Sequence, residues 1–449
     1  MGETITALLS RIDSWVWGLP LIALLVGTGA YYSIALRALP FRRLPEALHL
    51  AFIKRKEHGA EGDISHFQAL MTSLSATVGV GNIAGVATAI SVGGPGAMVW
   101  MWLTGLVGMA SKYAEALLAV RFRVVNARGE MSGGPMYYIE RGLRQRWLAV
   151  VFAFCAAVAA FGIGNMVQSN SVAHSLQATF HVSPLASGLC MTFFTGIVLL
   201  GGIRWIGRAT SIIVPVMILG YVGAGLVALL LHWDAVGAAF GLIFSTALTP
   251  PAAVGGFAGA TLAQAIRIGV ARGIFSNESG LGSSPIAAAA AQTGDPVRQA
   301  LVSMSQTFLD TLVVCSITGL VIVVSGAWQS GATGSALTIE AFRGAIGESG
   351  PWIVTFGLVF FAYSTVIGWS YYGEKAVEYL WGLGAVTPYR WVYSGLVLVG
   401  AVSHLEAVWS LADILNGCMA LPNLIALLAL SPIVIQETRR YCGISRPRR

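Results

Sequence analysis

Apolar residues recur along this chain in long runs rather than at the three-and-four spacing of a helix with one wet face. Eleven runs approach the roughly 20 residues that a helix needs to cross a bilayer core. They are 15–36, 67–92, 97–120, 148–178, 185–203, 210–231, 257–276, 300–325, 351–378, 390–404 and 407–436. Two of them carry their own interruption. SATVGVGNIAG, Ser75 to Gly85, puts Gly79, Gly81 and Asn82 in the middle of the second run, where a helix favours neither glycine nor asparagine. RGIFSNESGLGS, Arg272 to Ser283, breaks the seventh with glycine, polar residues and the carboxylate of Glu278. The pattern predicts an all-α integral membrane protein of eleven transmembrane helices, two of them discontinuous.

The polar segments between runs set a direction, because Lys and Arg are retained on the cytoplasmic side. Arg37, Arg42, Arg43, Lys54, Arg55 and Lys56 fall between the first two runs. Every second loop thereafter is basic: Arg121 to Arg146, then Arg204 and Arg208, Arg298, Lys375 with Arg390, and the tail from Arg439 to Arg449. The opposite side holds Arg11 and Arg343. The expectation is an N-terminus outside, a C-terminus in the cytoplasm with residues 437–449 as its tail, and residence in the plasma (inner) membrane.

Composition agrees. Of 449 residues 56% are hydrophobic and 10% charged, with a mean hydropathy of +0.73, against roughly 25% charged in soluble domains. The formal charge of +7 does not point to nucleic acid, which needs a clustered basic face. Five scattered cysteines without a CxxC or Cys/His spacing support neither a disulfide framework nor a zinc site, and no cofactor is expected.

Setting the first run (15–36) aside as an extra N-terminal helix leaves ten. One interruption then opens a first set of five, 67–231, and the other lies in the opening run of a second, 257–436. Five is odd, so the sets cross the membrane in opposite senses. Paired interruptions at matching places of two inverted halves point to the midplane site of a secondary transporter. Unwound backbone at that depth is tolerated where protein, water or a ligand satisfies it. A half-helix beginning near Gly81 and Asn82 aims free N–H groups and a positive dipole end at the gap, suited to a carboxylate. The half-helix ending near Thr77 offers carbonyl oxygens, suited to a cation. The competing explanation is helix packing, since Gly81 and Gly85 form a GxxxG.

The stretches FQALMTSLSATVGVGNIAGVATAI, GGPGAMVWMWLTGLVGMASKYAE, MSGGPMYYIERGL and ARGIFSNESGLGSSPIAAAA resemble those of the alanine or glycine:cation symporter family, and the resemblance covers nearly the whole chain. It implies a LeuT-type fold of five plus five inverted spans. It also implies sodium-coupled, occasionally proton-coupled, uptake of small neutral amino acids, chiefly alanine and glycine. Carried over, it places the backbone of Thr77, Gly79, Gly81 and Asn82 around the substrate carboxylate and ion, and makes Gln168 a polar contact. Phe275, Ser276 and Asn277 would line the pocket, with Phe275 capping a short side chain. By analogy with the fold's sodium site, the hydroxyls of Ser364 and Thr365 would face the carbonyls of Ser75 and Val78. The alternative for these hydroxyls is back-bonding to their own helix.

Other polar residues carry lesser expectations. Lys112 and Glu115 sit at helical spacing and form a structural or gating pair. Asp310 and Asp413 are intramembrane carboxylates and so functional candidates, Asp310 with Thr307 as a nearby donor. Glu278 is a cap or gate element, and MSGGPMYYIERG an interfacial segment with Tyr137 and Tyr138 at headgroup level. A membrane-embedded enzyme would need a nucleophile with its base, for which His174 and His404 lack a partner. A passive channel would need a ring of subunits or carbonyl loops, which two non-identical halves do not suit.

Overall fold

The computed structural model describes residues 2–55, 57, 59–248, 262–403 and 406–443. The chain is helical almost throughout. Among the described residues five helices are long and apolar enough to cross a membrane: α5 (Ala97–Arg121), α7 (Arg146–Phe180), α9 (Gly202–Leu231), α13 (Pro296–Val324) and α15 (Ser349–Trp381). Two bent pairs raise the number to seven. One is α3 (His66–Thr77) with α4 (Gly81–Gly93), bent by 53°. The other closes the chain, where α17 (Glu406–Ala429) and α18 (Ser431–Tyr441) meet at 58°. Shorter apolar helices are α2 (Leu19–Ala35), α8 (Pro184–Leu200) and α10 (Trp233–Thr246). Further helices are α1 (Gly2–Val16), α6 (Pro135–Gly142), α11 (Leu262–Asn277), α12 (Pro285–Ala289), α14 (Gly334–Ile346) and α16 (Val386–Val402), beside several short turns of helix. One antiparallel hairpin, β1 (Val124–Val125) with β2 (Met131–Ser132), follows α5.

Local chemistry explains several boundaries. Ser65 starts α3 as a capping box: its hydroxyl accepts from the Gln68 N–H at 3.2 Å and Gln68 Oε1 accepts from the Ser65 N–H at 3.0 Å. Pro184, Pro285 and Pro296 open α8, α12 and α13, where a missing N–H is harmless.

Helices and apolar runs coincide closely over α3 to α9, with two corrections elsewhere. The eleventh run is not one helix: it bends at Leu430, before Pro432, and its second half continues to Tyr441, so the tail assigned to 437–449 begins as helix. The start of the seventh run, 257–261, lies outside the described residues, as do 444–449. MSGGPMYYIERG does not lie on the surface. Tyr138 is fully buried and donates to Asn423, and Tyr137 packs edge-on against Tyr379 at 5.4 Å. The apolar pattern could not separate a segment buried in protein from one at the lipid interface, because both are amphipathic.

α5 packs on α13, α7 on α15, α8 on α16 and α4 on α11, and α11 also packs on α5 and α17 on α7. Besides the π-helix His49–Lys54, three π-helical stretches lie in the spans: Gly81–Gly85 opens α4, and Gly162–Met166 and Phe308–Cys315 interrupt α7 and α13. Such stretches commonly mark functional sites, and these three surround the break between α3 and α4.

Candidate functional site

The first break is short. α3 ends at Thr77 and Val78 is extended, φ −77° and ψ 90°. Gly79 and Gly81 are not among the residues at positive φ, so their glycine character answers a different need. A Cβ on Gly79 would lie 2.5 Å from Thr365 Oγ1 and 3.3 Å from Gln168 Oε1; one on Gly81 would lie 3.2 Å from the Phe275 ring and 3.4 Å from Ser276 Cα. Missing side chains let α15, α7 and α11 close over the break. Gly85 has nothing within 4 Å of such a Cβ, which removes half of the GxxxG packing explanation.

Exposed amides of the break are held by side chains. The Gly79 N–H donates to Asn82 Oδ1 at 2.9 Å and the Val80 N–H to Gln168 Oε1 at 3.4 Å. Asn82 Nδ2 donates in turn to Asp310 Oδ1 at 2.7 Å. Asp310 Oδ2 accepts from Ser276 at 2.9 Å and from Thr311 at 2.8 Å. One carboxylate therefore joins the start of α4 to the end of α11. Thr307, its expected donor, instead pairs with Ser279 at 3.1 Å. Asn277 donates to Thr311 at 3.1 Å and accepts from the Ser279 N–H at 2.9 Å. Asn82, Ser276 and Asn277 are fully buried, and each side chain is already engaged.

The second break, residues 278–284, combines left-handed backbone with close approach: a Cβ on Gly280 would lie 2.7 Å from Leu25 and one on Gly282 2.7 Å from Pro135. Glu278, Gly280 and Gly282 have φ of 55°, 87° and 86°, the region where glycine avoids a steric cost. Glu278 accepts from Trp369 Nε1 at 2.8 Å and from the Ser283 hydroxyl, while its carbonyl accepts from Lys112 Nζ at 2.9 Å. Lys112 also donates to Ser284 at 2.7 Å and lies 3.7 Å from Glu115. Glu115 accepts from the Gly282 N–H at 3.1 Å and from Asn423 at 2.7 Å. The pair on α5 thus supports the unwound chain of the second break.

Of the candidate cation ligands, Ser75 and Ser364 meet between α3 and α15. Ser364 donates to the Ser75 carbonyl at 3.3 Å and to Phe361 O at 2.9 Å. Thr365 donates to Phe361 O at 3.0 Å and faces Gly79. Back-bonding is therefore present and coexists with the cross-helix contact. Ser75, Val78, Ser364 and Thr365 are all buried. Dry hydroxyl and carbonyl oxygens without a thiolate or imidazole fit a hard cation. No group of three or more His, Cys, Asp or Glu at metal-holding distance occurs among the described residues.

A cavity of about 400 Å³ opens at the far end of α11, lined in part by Asp13, Trp17, Arg267, Arg272, Phe275 and Asp413. Arg272 lies over the Phe275 ring at 5.3 Å and 3.9 Å from Asp413. Arg267 donates to the carbonyls of Trp17 and Ser14 at 3.2 and 3.1 Å. Burial pushes the Asp13 carboxyl above its usual value despite these two arginines. Phe275 separates the cavity from Gly81. The sequence shows no sign of this cavity: Arg267 and Arg272 fall inside the seventh run, 257–276, and α1 carries no long apolar run. His174 is exposed on α7, and His404 lies outside the described residues.

Two discontinuous helices, tied to each other through buried polar groups, define a multi-pass carrier of the LeuT fold. The crystal structure of MhsT in complex with L-phenylalanine shares that fold, with a TM-score of 0.59 at 13% identity over 86% of this chain and 100% of that one. Residues 2–447 match the sodium:alanine symporter family, and the chain belongs to that family. It is 53% identical over 443 residues to the sodium/alanine symporter AgcS of Methanococcus maripaludis, covering 97% of each chain. An uncharacterized transporter of Haemophilus influenzae is also 53% identical, over 441 residues, covering 98% of this chain and 96% of that one. The chain is a transporter and not an enzyme.

Proposed function

We propose that the chain imports small neutral amino acids, alanine and glycine foremost, together with a sodium ion, by alternating access between two inverted repeats, 67–231 and 257–436. The observation that carries this reading is the convergence of the first break, the end of α11 and the Ser364–Thr365 hydroxyls at one buried level. The substrate carboxylate competes with Asn82 Oδ1 and Gln168 Oε1 for the Gly79 and Val80 amides, near the N-terminus of α4. Thr77, Gly81, Ser276 and Asn277 complete its surroundings. Sodium sits among Ser75, Val78, Ser364 and Thr365. The alternating basic loops support an outside N-terminus and a cytoplasmic C-terminus. Uptake into proteoliposomes under an imposed sodium gradient, with a competition panel of amino acids, tests the reading; uptake indifferent to sodium defeats it.

Two variants separate ion from substrate. Thr365→Ala removes one of about five oxygen ligands and is expected to raise the sodium concentration for half-maximal uptake, with alanine selectivity kept. An unchanged sodium requirement removes Thr365 from the ion site. Phe275→Ala opens the wall between the cavity and Gly81, and should admit larger neutral substrates such as leucine, since overpacking a filled site costs about 1–3 kcal/mol. A functional variant with wild-type selectivity shows that Phe275 does not set substrate size.

A further inference from the structure

The end of the molecule opposite the cavity is closed by main chain, and one side chain gathers it. Arg123 follows α5. Its Nη1 donates to the carbonyls of Ala289 at 3.0 Å and Ala291 at 2.7 Å, and its Nη2 to those of Glu61 at 2.9 Å and Thr293 at 3.1 Å. These four carbonyls belong to two segments only: the approach to α3, and the exit from α12. Each segment is the inner continuation of one broken span.

The same segments also bond to each other. Ile64 and Ala291 form a parallel bridge, with Asp63 N–H to Ala290 O at 2.8 Å and Gln292 N–H to Ile64 O at 2.7 Å. Gly62 lies so close to Gln292 that a Cβ would come within 2.4 Å of its backbone. Around this strap, Ile64, His66, Ser283, Ser284 and Ala287 are all buried. Glu57 supports it from outside, accepting from Thr293 at 3.0 Å and from the Gly294 N–H at 3.1 Å, and pairing with Arg298. Although burial pushes the other way, these donors hold the Glu57 carboxyl below its usual value.

Carbonyl oxygens joined only to each other's amides would be a weak closure, because two short irregular segments make few such bonds. A guanidinium is the one side chain with five donors in a fixed planar fork. Charge-assisted bonds are about twice as strong as neutral ones, and a cation at the C-terminal end of α12 also complements the helix dipole. We propose that Arg123 is the gating residue of the inner side: it pins the inner ends of both broken helices together, and substrate leaves toward that side only when its four carbonyl bonds are released. This rests on the carrier reading above, with the Arg123 end facing the cytoplasm. Releasing the pin lowers the population open at the Phe275 cavity, so apparent affinity from that side falls by the same factor.

Hydrogen exchange on the full chain in nanodiscs tests this without any ligand, on the wild type, Arg123→Ala and Arg123→Lys. The amides of Asp63, Ile64, Gln292 and Thr293 should exchange at least about tenfold faster in Arg123→Ala, the scale of one lost charged hydrogen bond. Arg123→Lys, with three donors on a point charge, should fall between. In sodium-driven alanine uptake from the cavity side, Arg123→Ala should raise KM several-fold more than it lowers the maximal rate. Unchanged exchange at the four amides overturns the proposal, as does acceleration spread evenly over the chain in both variants, which marks a folding defect. If the wild type shows no sodium-driven uptake, the transport reading fails while the exchange data still decide the role of Arg123.

Discussion

Gly79→Ala is expected to abolish sodium-driven uptake while leaving a folded, inserted chain. The added methyl would sit 2.5 Å from Thr365 Oγ1, closer than real carbon contacts allow, and a tight 3.3 Å from Gln168 Oε1. Thr365 cannot swing away without losing its bond to Phe361 O at 3.0 Å. Gln168 cannot retreat without releasing the Val80 amide. One methyl thus disturbs the proposed ion ligand and the proposed carboxylate site together. Only about 1–3 kcal/mol of overpacking strain is stored, which a chain with this much buried surface can absorb. Ligand-induced stabilisation should disappear in parallel, because a ligand stabilises only the state it binds. Gly81→Ala meets the Phe275 ring at 3.2 Å and should reduce uptake less, since a ring edge gives way more easily than a bonded hydroxyl. Thermal unfolding with and without alanine and sodium, beside tracer uptake, separates these outcomes. A Gly79→Ala chain that is poorly folded yet binds alanine normally in its folded fraction would make the break a packing device.

Lys112→Met should be the most destabilising single change near the site. Lys112 is buried with its ammonium on the Glu278 carbonyl and the Ser284 hydroxyl, 3.7 Å from Glu115. Methionine matches the stem as far as Cε but leaves Glu115 with an uncompensated buried charge, a loss of about 3–5 kcal/mol where such a pair is broken from one side. The second break would lose its support on α5, so stability and uptake should fall together, unlike in Gly79→Ala. Lys112→Met combined with Glu115→Gln should recover much of the stability, because the orphaned charge is gone. A melting temperature unaffected by Lys112→Met would mean that the pair contributes nothing to the fold.

The lipid-crossing pattern was legible because the requirement it answers is crude: a helix in hydrocarbon must be long and apolar. The first break was equally plain, since Gly79, Gly81 and Asn82 have no other business in such a run. What Asn82 does there was not readable. Its side chain spans the break from Gly79 to Asp310, a pairing across more than two hundred residues that no local spacing encodes. Asp310 stood out as a carboxylate in an apolar run, yet its partners come from three helices. The glycines of the two breaks look alike in sequence and differ in cause, close approach alone in the first and positive φ together with close approach in the second. Arg123 was counted only as one more basic loop residue, because four carbonyl acceptors leave no trace in side-chain chemistry.

The π-helical stretches have a consequence for how this chain tolerates change. Each widened turn shifts the helical phase, and one residue corresponds to about 100° of rotation in an α-helix. Deleting a single residue from Gly162–Met166 would let α7 relax to regular pitch, yet every side chain beyond it would turn toward a new neighbour. Gln168, two residues past that stretch, would leave the break although its own codon is untouched. The site is therefore guarded by chain length as well as by residue identity, and one-residue insertions or deletions in these three stretches should be as damaging to uptake as substitutions of the residues that line it.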